Sequence, residues 1–265
     1  MTDAPQGWTA LVLAGQRPGV DRLAAHFGRE AKALIPVAGT PMLARVVRAL
    51  SQAPQIARII VLAQDAPALL ADPALADAVG DTRIEARISG RTISGSVLDA
   101  VTDPAVGLPV LVTTADNVML TPATIAEFLA AVGSGDVAVA MVERGNLERA
   151  AGPNRRTWLA FRDGAFTGAN LFALTRPSAA NALKFWERVE QDRKSVARLA
   201  AHFGPVLMVK LLLRRLTLVD ALAAAGRKLG ASATPVLLSD GRMGVDVDKP
   251  EDHALAERLL AQAPA

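Results

Sequence analysis

Four short stretches of the chain are apolar almost without interruption and then stop: TALVLAG (residues 9–15), ARIIVLAQ (57–64), PVLVTTAD (109–116) and DVAVAMVE (136–143). Continuous apolar runs of this length are the pattern of strands buried on both faces. Between them lie segments of helical periodicity, PMLARVVRALSQ (41–52), SVLDAVTD (96–103) and TPATIAEFLAAV (121–132). The last opens with Thr121 as N-cap and Pro122 at the first helical position. Buried strands alternating with amphipathic helices predict a parallel sheet covered on both sides. Ligands of such sheets bind beyond the carboxyl ends of the strands. The residues of interest are therefore Gly15 onward, Gln64–Asp65 and Thr113–Asn117.

The second half has a different texture. RRTWLAFRDGAFTGANLFAL (155–174) predicts two strands around a turn at Asp163–Gly164. Residues 178–226 are expected to be mostly helical, with a break at His202-Phe203-Gly204-Pro205. The end of the chain predicts a strand, a turn, a short strand and a helix opened by Pro250-Glu251-Asp252. With no internal repeat and no low-complexity linker, residues 1–265 are expected to form one domain. Three parts are distinguished within it: about 8–143, about 144–233 with a helical insertion, and a closing segment of about 234–265.

Composition narrows the class. The 265 residues are 51% hydrophobic and 21% charged, which excludes a disordered chain and supports a substantial core. Lysines and arginines number 29 against 26 acids, and the resulting charge of +3 is too small to predict nucleic-acid binding. The absence of cysteine excludes disulfides, zinc–thiolate sites and thiol nucleophiles. His26, His202 and His253 are too scattered to predict a histidine-rich metal site. The start, MTDAPQGW, lacks the pattern of a signal peptide, and the apolar run Val206–Leu218 is broken by Lys210, Arg214 and Arg215. A cytoplasmic protein is expected.

Three segments have chemical potential. The loop GQRPGVDRLAAHFGREAK (15–32) follows a buried strand, and its glycines allow backbone N–H groups close to a phosphate. Arg17, Arg22, Arg29 and Lys32 add positive charge, but neither G-x-G-x-x-G nor a P-loop is present. In VTTADN (112–117), Asp116 stands just past a strand end, where it could hold a divalent metal or simply cap a turn. In GVDVDKPEDHA (244–254), Asp246 and Asp248 are expected on opposite faces of an extended segment, so that one of them shares a metal with Asp116.

In this order the three segments resemble the molybdenum-cofactor guanylyltransferase-like nucleoside-triphosphate transferases. The resemblance rests on LVLAG with Arg17 and Lys32, KALIPVAGTPML (32–43), TTADN (113–117) and VDVDKPED (245–252). It implies a Rossmann-like (GT-A) three-layer α/β fold with a mostly parallel central sheet and, here, a helical insertion in the C-terminal half. It places Leu13, Ala14, Gly15 and Gln16 against the nucleotide and Arg17 and Lys32 on its triphosphate. Asp116 with Asp248 or Asp246 would hold Mg²⁺. The first loop departs from the family pattern, with a single Gly15 and a longer stretch before Lys32, so Arg22 and Arg29 stand as alternatives to Arg17.

SGRTISGSVLDAV (89–101) is similar to the glycine-rich stretch and Ser-Val helix start of isoprenoid-pathway cytidylyltransferases. That likeness nominates Gly90 and Ser96 for the base and ribose and favours CTP, the other reading of Ser96 being an ordinary N-cap. TGANLFAL (167–174) resembles the strand that meets the acceptor in sugar-nucleotide relatives, which nominates Asn170. Arg155, Arg156, Arg162, Lys184, Arg193 and Lys194 are the basic residues that could face an anionic, phosphorylated acceptor. Finally, GPVLMVKLLLRRLTLVDALAAAG (204–226) is an apolar, basic helix with Lys210 and Arg214 on one face. It is suited to packing, to a homodimer interface or to an anionic membrane surface.

The expected function is Mg²⁺-dependent transfer of CMP from CTP to a small phosphoglycerate-like acid or polyol, activating a lipid or envelope head group. The alternatives are a guanylyltransferase using GTP, a GT-A glycosyltransferase and a non-catalytic nucleotide sensor.

Overall fold

The computed structural model describes residues 7–16, 19–90, 92–153, 156–190 and 204–262. The strands are β1 (Trp8–Leu13), β2 (Pro36–Val37), β3 (Thr40–Pro41), β4 (Ile56–Ala63) and β5 (Ile84–Ile88). They continue with β6 (Val110–Thr114), β7 (Val137–Glu143), β8 (Leu159–Phe161), β9 (Gly164–Leu174) and β10 (Ala233–Leu237). The main sheet runs in the order β10-β7-β9-β6-β1-β4-β5, with β8 paired to β9. β1 lies parallel to both β4 and β6, β5 is parallel to β4, and β10 is parallel to β7. β9 alone runs against its neighbours β6, β7 and β8.

The apolar runs are continuous because both faces of the sheet are inside. Leu11, Ile60, Leu62, Val110 and Val112 pack on one side with Val97 and Ala100 of the helix Ile93–Thr102. Ala10, Val12, Ile59, Val61 and Leu111 pack on the other with Leu43, Val47 and Leu50 of the helix Met42–Ser51. Phe128, from the helix Pro122–Ala131, joins this second layer. That helix starts as the sequence predicts, with Thr121 accepting the Thr124 N–H.

Several elements differ from expectation. β5 carries Glu85 and Arg87 on a half-exposed edge strand, so no apolar run announces it. The following helix begins at Ile93, capped by Thr92 rather than by Ser96, because Thr92 Oγ1 is the atom that accepts a free N–H of the first turn, from Gly95. The β8–β9 hairpin forms, but its turn residues are Arg162–Asp163, one position before the predicted Asp163–Gly164, because Gly164 already opens β9 opposite Phe161. The segment 204–226 is two helices, Pro205–Leu212 and Leu218–Leu229, instead of one. Arg214, at φ +51°, has left the helix, so Lys210 and Arg214 do not share a helical face. His202 and Phe203 of the expected break lie outside the described residues. Near the end, GVDVD follows a 3-10 turn (Gly241–Gly244) and is not paired as a strand, while the closing helix Pro250–Ala261 forms.

Candidate active site

The carboxyl ends of β1, β4, β5 and β6 open on one edge of the sheet. Past β1 the chain passes so close to Gln64 that a Cβ on Gly15 would stand 3.0 Å from the Gln64 amide nitrogen. That approach lets Gln64 Oε1 accept the Gln16 N–H at 3.0 Å. Gln16 Nε2 in turn donates to the Glu30 carbonyl at 3.4 Å, tying down the far end of the first loop. Gln16 Oε1, past β1, and Ser89 Oγ, past β5, are buried without a hydrogen-bond partner. A ligand or water at this edge would leave both atoms satisfied, as buried polar atoms usually are.

Asp116 is held rigidly at the end of β6. Thr114 Oγ1 donates to its Oδ1 at 2.5 Å. The next residue, Asn117, is 1% exposed and donates through Nδ2 to Thr113 Oγ1 and to the Ala169 carbonyl, both at 3.1 Å. These bonds pin the turn after β6 to β9.

Lys32 comes from the 3-10 turn Lys32–Leu34, and its Nζ donates to Asp116 Oδ2 at 2.6 Å and to Asp248 Oδ1 at 2.5 Å. Burial works against its charge, but the Asp116 and Asp248 carboxylates outweigh that and hold the ammonium above the ordinary lysine range. Two carboxylates from distant parts of the chain therefore already share one cation. Among the described residues no three histidine or acidic side chains are grouped so that they could together hold a metal ion. A metal here would take two protein carboxylates and complete its shell with phosphates and water, which suits Mg²⁺.

Asp248 owes its place to the closing helix. Asp252 Oδ2 accepts the Asp248 and Lys249 N–H groups at 3.2 and 3.1 Å. His253 Nε2 lies 2.8 Å from the Pro36 carbonyl, and Glu257 accepts the Ala38 N–H at 2.7 Å. These contacts seat the helix on the β2–β3 hairpin, the KALIPVAGTPML segment.

Asp246 is not opposite Asp248. Residues two apart in an extended segment share a side, and Val245 and Val247, both fully buried, take the other. The two aspartates differ instead in their partners. Arg156 Nη1 donates to Asp246 Oδ1, and its Nη2 donates to the Asp246 carbonyl at 3.0 Å. Asn170, in a left-handed backbone conformation at φ +48°, donates through Nδ2 to Asp246 Oδ2 at 3.3 Å. Arg156 and Asn170, both nominated for the acceptor, thus hold Asp246, while Asp248 joins Asp116.

Gly90 and Ser96 meet each other. Ser96 is buried, accepts the Gly90 N–H at 2.9 Å and donates to the Thr92 carbonyl at 2.7 Å. Leu13, Ala14, Gly15 and Gln16 line the turn leaving β1. Arg17, Arg155, Arg193 and Lys194 lie outside the described residues. Arg22 and Arg29 are exposed, with no ion pair among the described residues. Sequence reasoning missed the structural roles of Gln64, Thr114 and Asn117. The available signal was their position immediately around the ends of β4 and β6.

A mostly parallel sheet flanked by helices, with this edge, is a Rossmann-like nucleotidyltransferase fold. The family profile of the MobA-like NTP transferase domain matches residues 10–234, and the chain belongs to that family. A hypothetical transferase from Thermus thermophilus is similar at a TM-score of 0.76 and 29% identity, over 93% of this chain and 99% of that one. 4-Diphosphocytidyl-2C-methyl-D-erythritol synthase from Anaerococcus prevotii is similar at 0.58 and 12%, over 97% of each chain. A CMP:2-keto-3-deoxy-manno-octonic acid synthetase, solved with CTP, is similar at 0.55 and 14%, over 97% of this chain and 99% of that one. The last two show a likeness of fold alone. A comparison with curated proteins gave no match.

Proposed function

We propose that this nucleotidyltransferase, acting as a single domain, transfers CMP from CTP to a small phosphorylated acid or polyol in the cytoplasm, feeding lipid or envelope head-group synthesis. The observation that carries the reaction class is the sharing of one ammonium, that of Lys32, by Asp116 and Asp248 at the open sheet edge. Mg²⁺ bound by this pair supplies charge neutralisation to the triphosphate. Asp116 and Asp248 would hold the divalent ion, and the Lys32 ammonium beside them would meet the charge of the pyrophosphate. Arg17 adds a second positive charge there. The backbone of Leu13 to Gln16 cradles the phosphates, and the Gly90–Ser96 staple shapes the wall beside the base.

A phosphate oxygen of the acceptor attacks the α-phosphorus in line. The new P–O bond forms as the bond to the pyrophosphate oxygen breaks, and pyrophosphate leaves. No covalent enzyme intermediate is required. The protein's contribution is positioning and electrostatic stabilisation. Arg155 and Lys194 are assigned to the acceptor. Arg156 and Asn170 serve it through Asp246, whose clamp fixes the segment that carries Asp248.

CTP is favoured by the sequence likeness of residues 89–101 to cytidylyltransferases. The family profile supports GTP and a guanylyltransferase as the second reading. A thermal-shift screen against CTP, GTP, ATP and UTP, each with and without Mg²⁺, separates them. Occupancy at a hundredfold excess over Kd stabilises by about 2.7 kcal/mol. Selective, Mg²⁺-dependent stabilisation by CTP is expected. Selectivity for GTP transfers the assignment to guanylyl transfer, and no shift with any nucleotide overturns both.

A further inference from the structure

The corner formed by residues 204–217 is unlike the rest of the surface. Val206, Val209, Leu212 and Leu213 are 68%, 51%, 71% and 58% exposed. Val206, Val209 and Leu213 follow the three- and four-residue spacing of one helical face. Lys210, Arg214 and Arg215 are exposed beside them, and among the described residues none of the three makes an ion pair. The segment contains no acid at all, and its three positive charges equal the +3 of the whole chain.

The end of the helix adds an independent observation. The Arg214 N–H donates to the Leu211 carbonyl and the Arg215 N–H to the Lys210 carbonyl, both at 2.9 Å. This is the closure that usually places glycine in the left-handed position. Here Arg214 occupies it at φ +51°, a conformation that strains any residue with a Cβ. A cation stands on the surface where backbone preference asks for glycine. The cleft of about 620 Å³ between this helix and Leu218–Leu229 adds Arg227 and Lys228 to the basic rim, against one acid, Asp220.

Exposed aliphatics interleaved with unpaired cations match the interface of a bilayer containing anionic lipid, where acyl chains receive the former and head groups the latter. No helix of the described residues is long and apolar enough to cross a membrane. A second copy of this chain on the same face would bring two patches together that each carry Lys210, Arg214 and Arg215 and no acid within 204–217, because a two-fold contact pairs a patch with itself. We infer that the 204–217 corner docks peripherally on an anionic phospholipid surface. The inference is independent of the nucleotide and of the acceptor.

Vesicle flotation of the full chain tests it, with phosphatidylcholine alone and with phosphatidylcholine mixed with phosphatidylglycerol. The protein is expected to float only with the anionic vesicles and to be released by salt. The pair Arg214→Gly, Arg215→Gln should weaken binding roughly fivefold per charge removed. Leu212→Glu with Leu213→Glu should abolish flotation. Circular dichroism and the nucleotide thermal shift, unchanged in these variants, confirm that the fold and the sheet edge persist. Equal flotation with both vesicle types, or none with either, overturns the inference. So does a dimer in light scattering that Leu212→Glu, Leu213→Glu converts to monomer while the parent ignores vesicles.

Discussion

At the sheet edge Lys32 faces Asp116 and Asp248, and Arg156 faces Asp246 with Asp252 at 3.9 Å. At the 204–217 corner Lys210, Arg214 and Arg215 have no such partners among the described residues. The difference is one of purpose built into the same chain. Matched charges hold their geometry and can exchange partners when a small anion and a cation arrive together. The cations in and just after the apolar helix Pro205–Leu212 make no such ion pairs among the described residues, which leaves them open to the external surface inferred above.

The comparison breaks most visibly if the edge is disarmed. Asp116→Asn or Lys32→Ala should each lower turnover at least ~100-fold in a pyrophosphate-release assay, the scale of removing a preorganised charge-stabilising group. A variant that keeps wild-type turnover removes that residue from the chemistry. Arg156→Leu leaves Asp246 without its strong donor and should lower stability by about 2 kcal/mol in denaturant unfolding. An unchanged midpoint would show that the clamp on the Asp248 segment is dispensable.

If Asp116 and Asp248 hold the metal as proposed, Lys32 competes with it for one place between the two carboxylates. Lys32→Met should therefore tighten Mn²⁺ binding to the nucleotide-free protein roughly tenfold, the worth of one partly screened charge. A Mn²⁺ titration followed by electron paramagnetic resonance reads this directly, and weaker binding would refute the competition. The same pair has a pH signature. The lysine's folded value lies above its ordinary 10.5, so its contribution is complete below that pH and is lost as pH rises through the folded value. Thermal stability of the wild type should fall in that alkaline range, and Lys32→Met should lack this component. The smallest effect belongs to the corner: Arg214→Gly should stabilise the protein by about 1 kcal/mol in thermal unfolding by relieving the left-handed strain.

What the sequence made legible follows from burial. β1, β4, β6 and β7 were readable because strands covered on both faces are apolar throughout, and Thr121-Pro122 announced a helix start by capping chemistry. β5 was not, since its exposed edge carries Glu85 and Arg87. Motif order and resemblance bring Lys32, Asp116 and one of Asp246 and Asp248 to one site, but neither the choice of Asp248 nor its direct pairing with Lys32 is legible in the sequence. Neither was the capture of Asp246 by Arg156 and Asn170. Such partners are set by how the β9 hairpin and the closing helix fold back on the sheet, and no local pattern encodes that. The split of 204–226 was hidden for a different reason: the arginine that ends the first helix occupies a position where glycine would have signalled the stop.

Lys32 and Asp248 stand 216 positions apart in the chain. The family match itself ends at residue 234, before Asp248 and the helix that seats it. During synthesis β1, β4, β5 and β6, whose carboxyl ends form the open edge, emerge before β10 and the helix that follows it. A chain that stopped before Asp248 would carry Lys32 and Asp116 without the second carboxylate that Lys32 meets. Lys32 therefore meets its second carboxylate only when the segment around Asp248 has folded back onto the sheet.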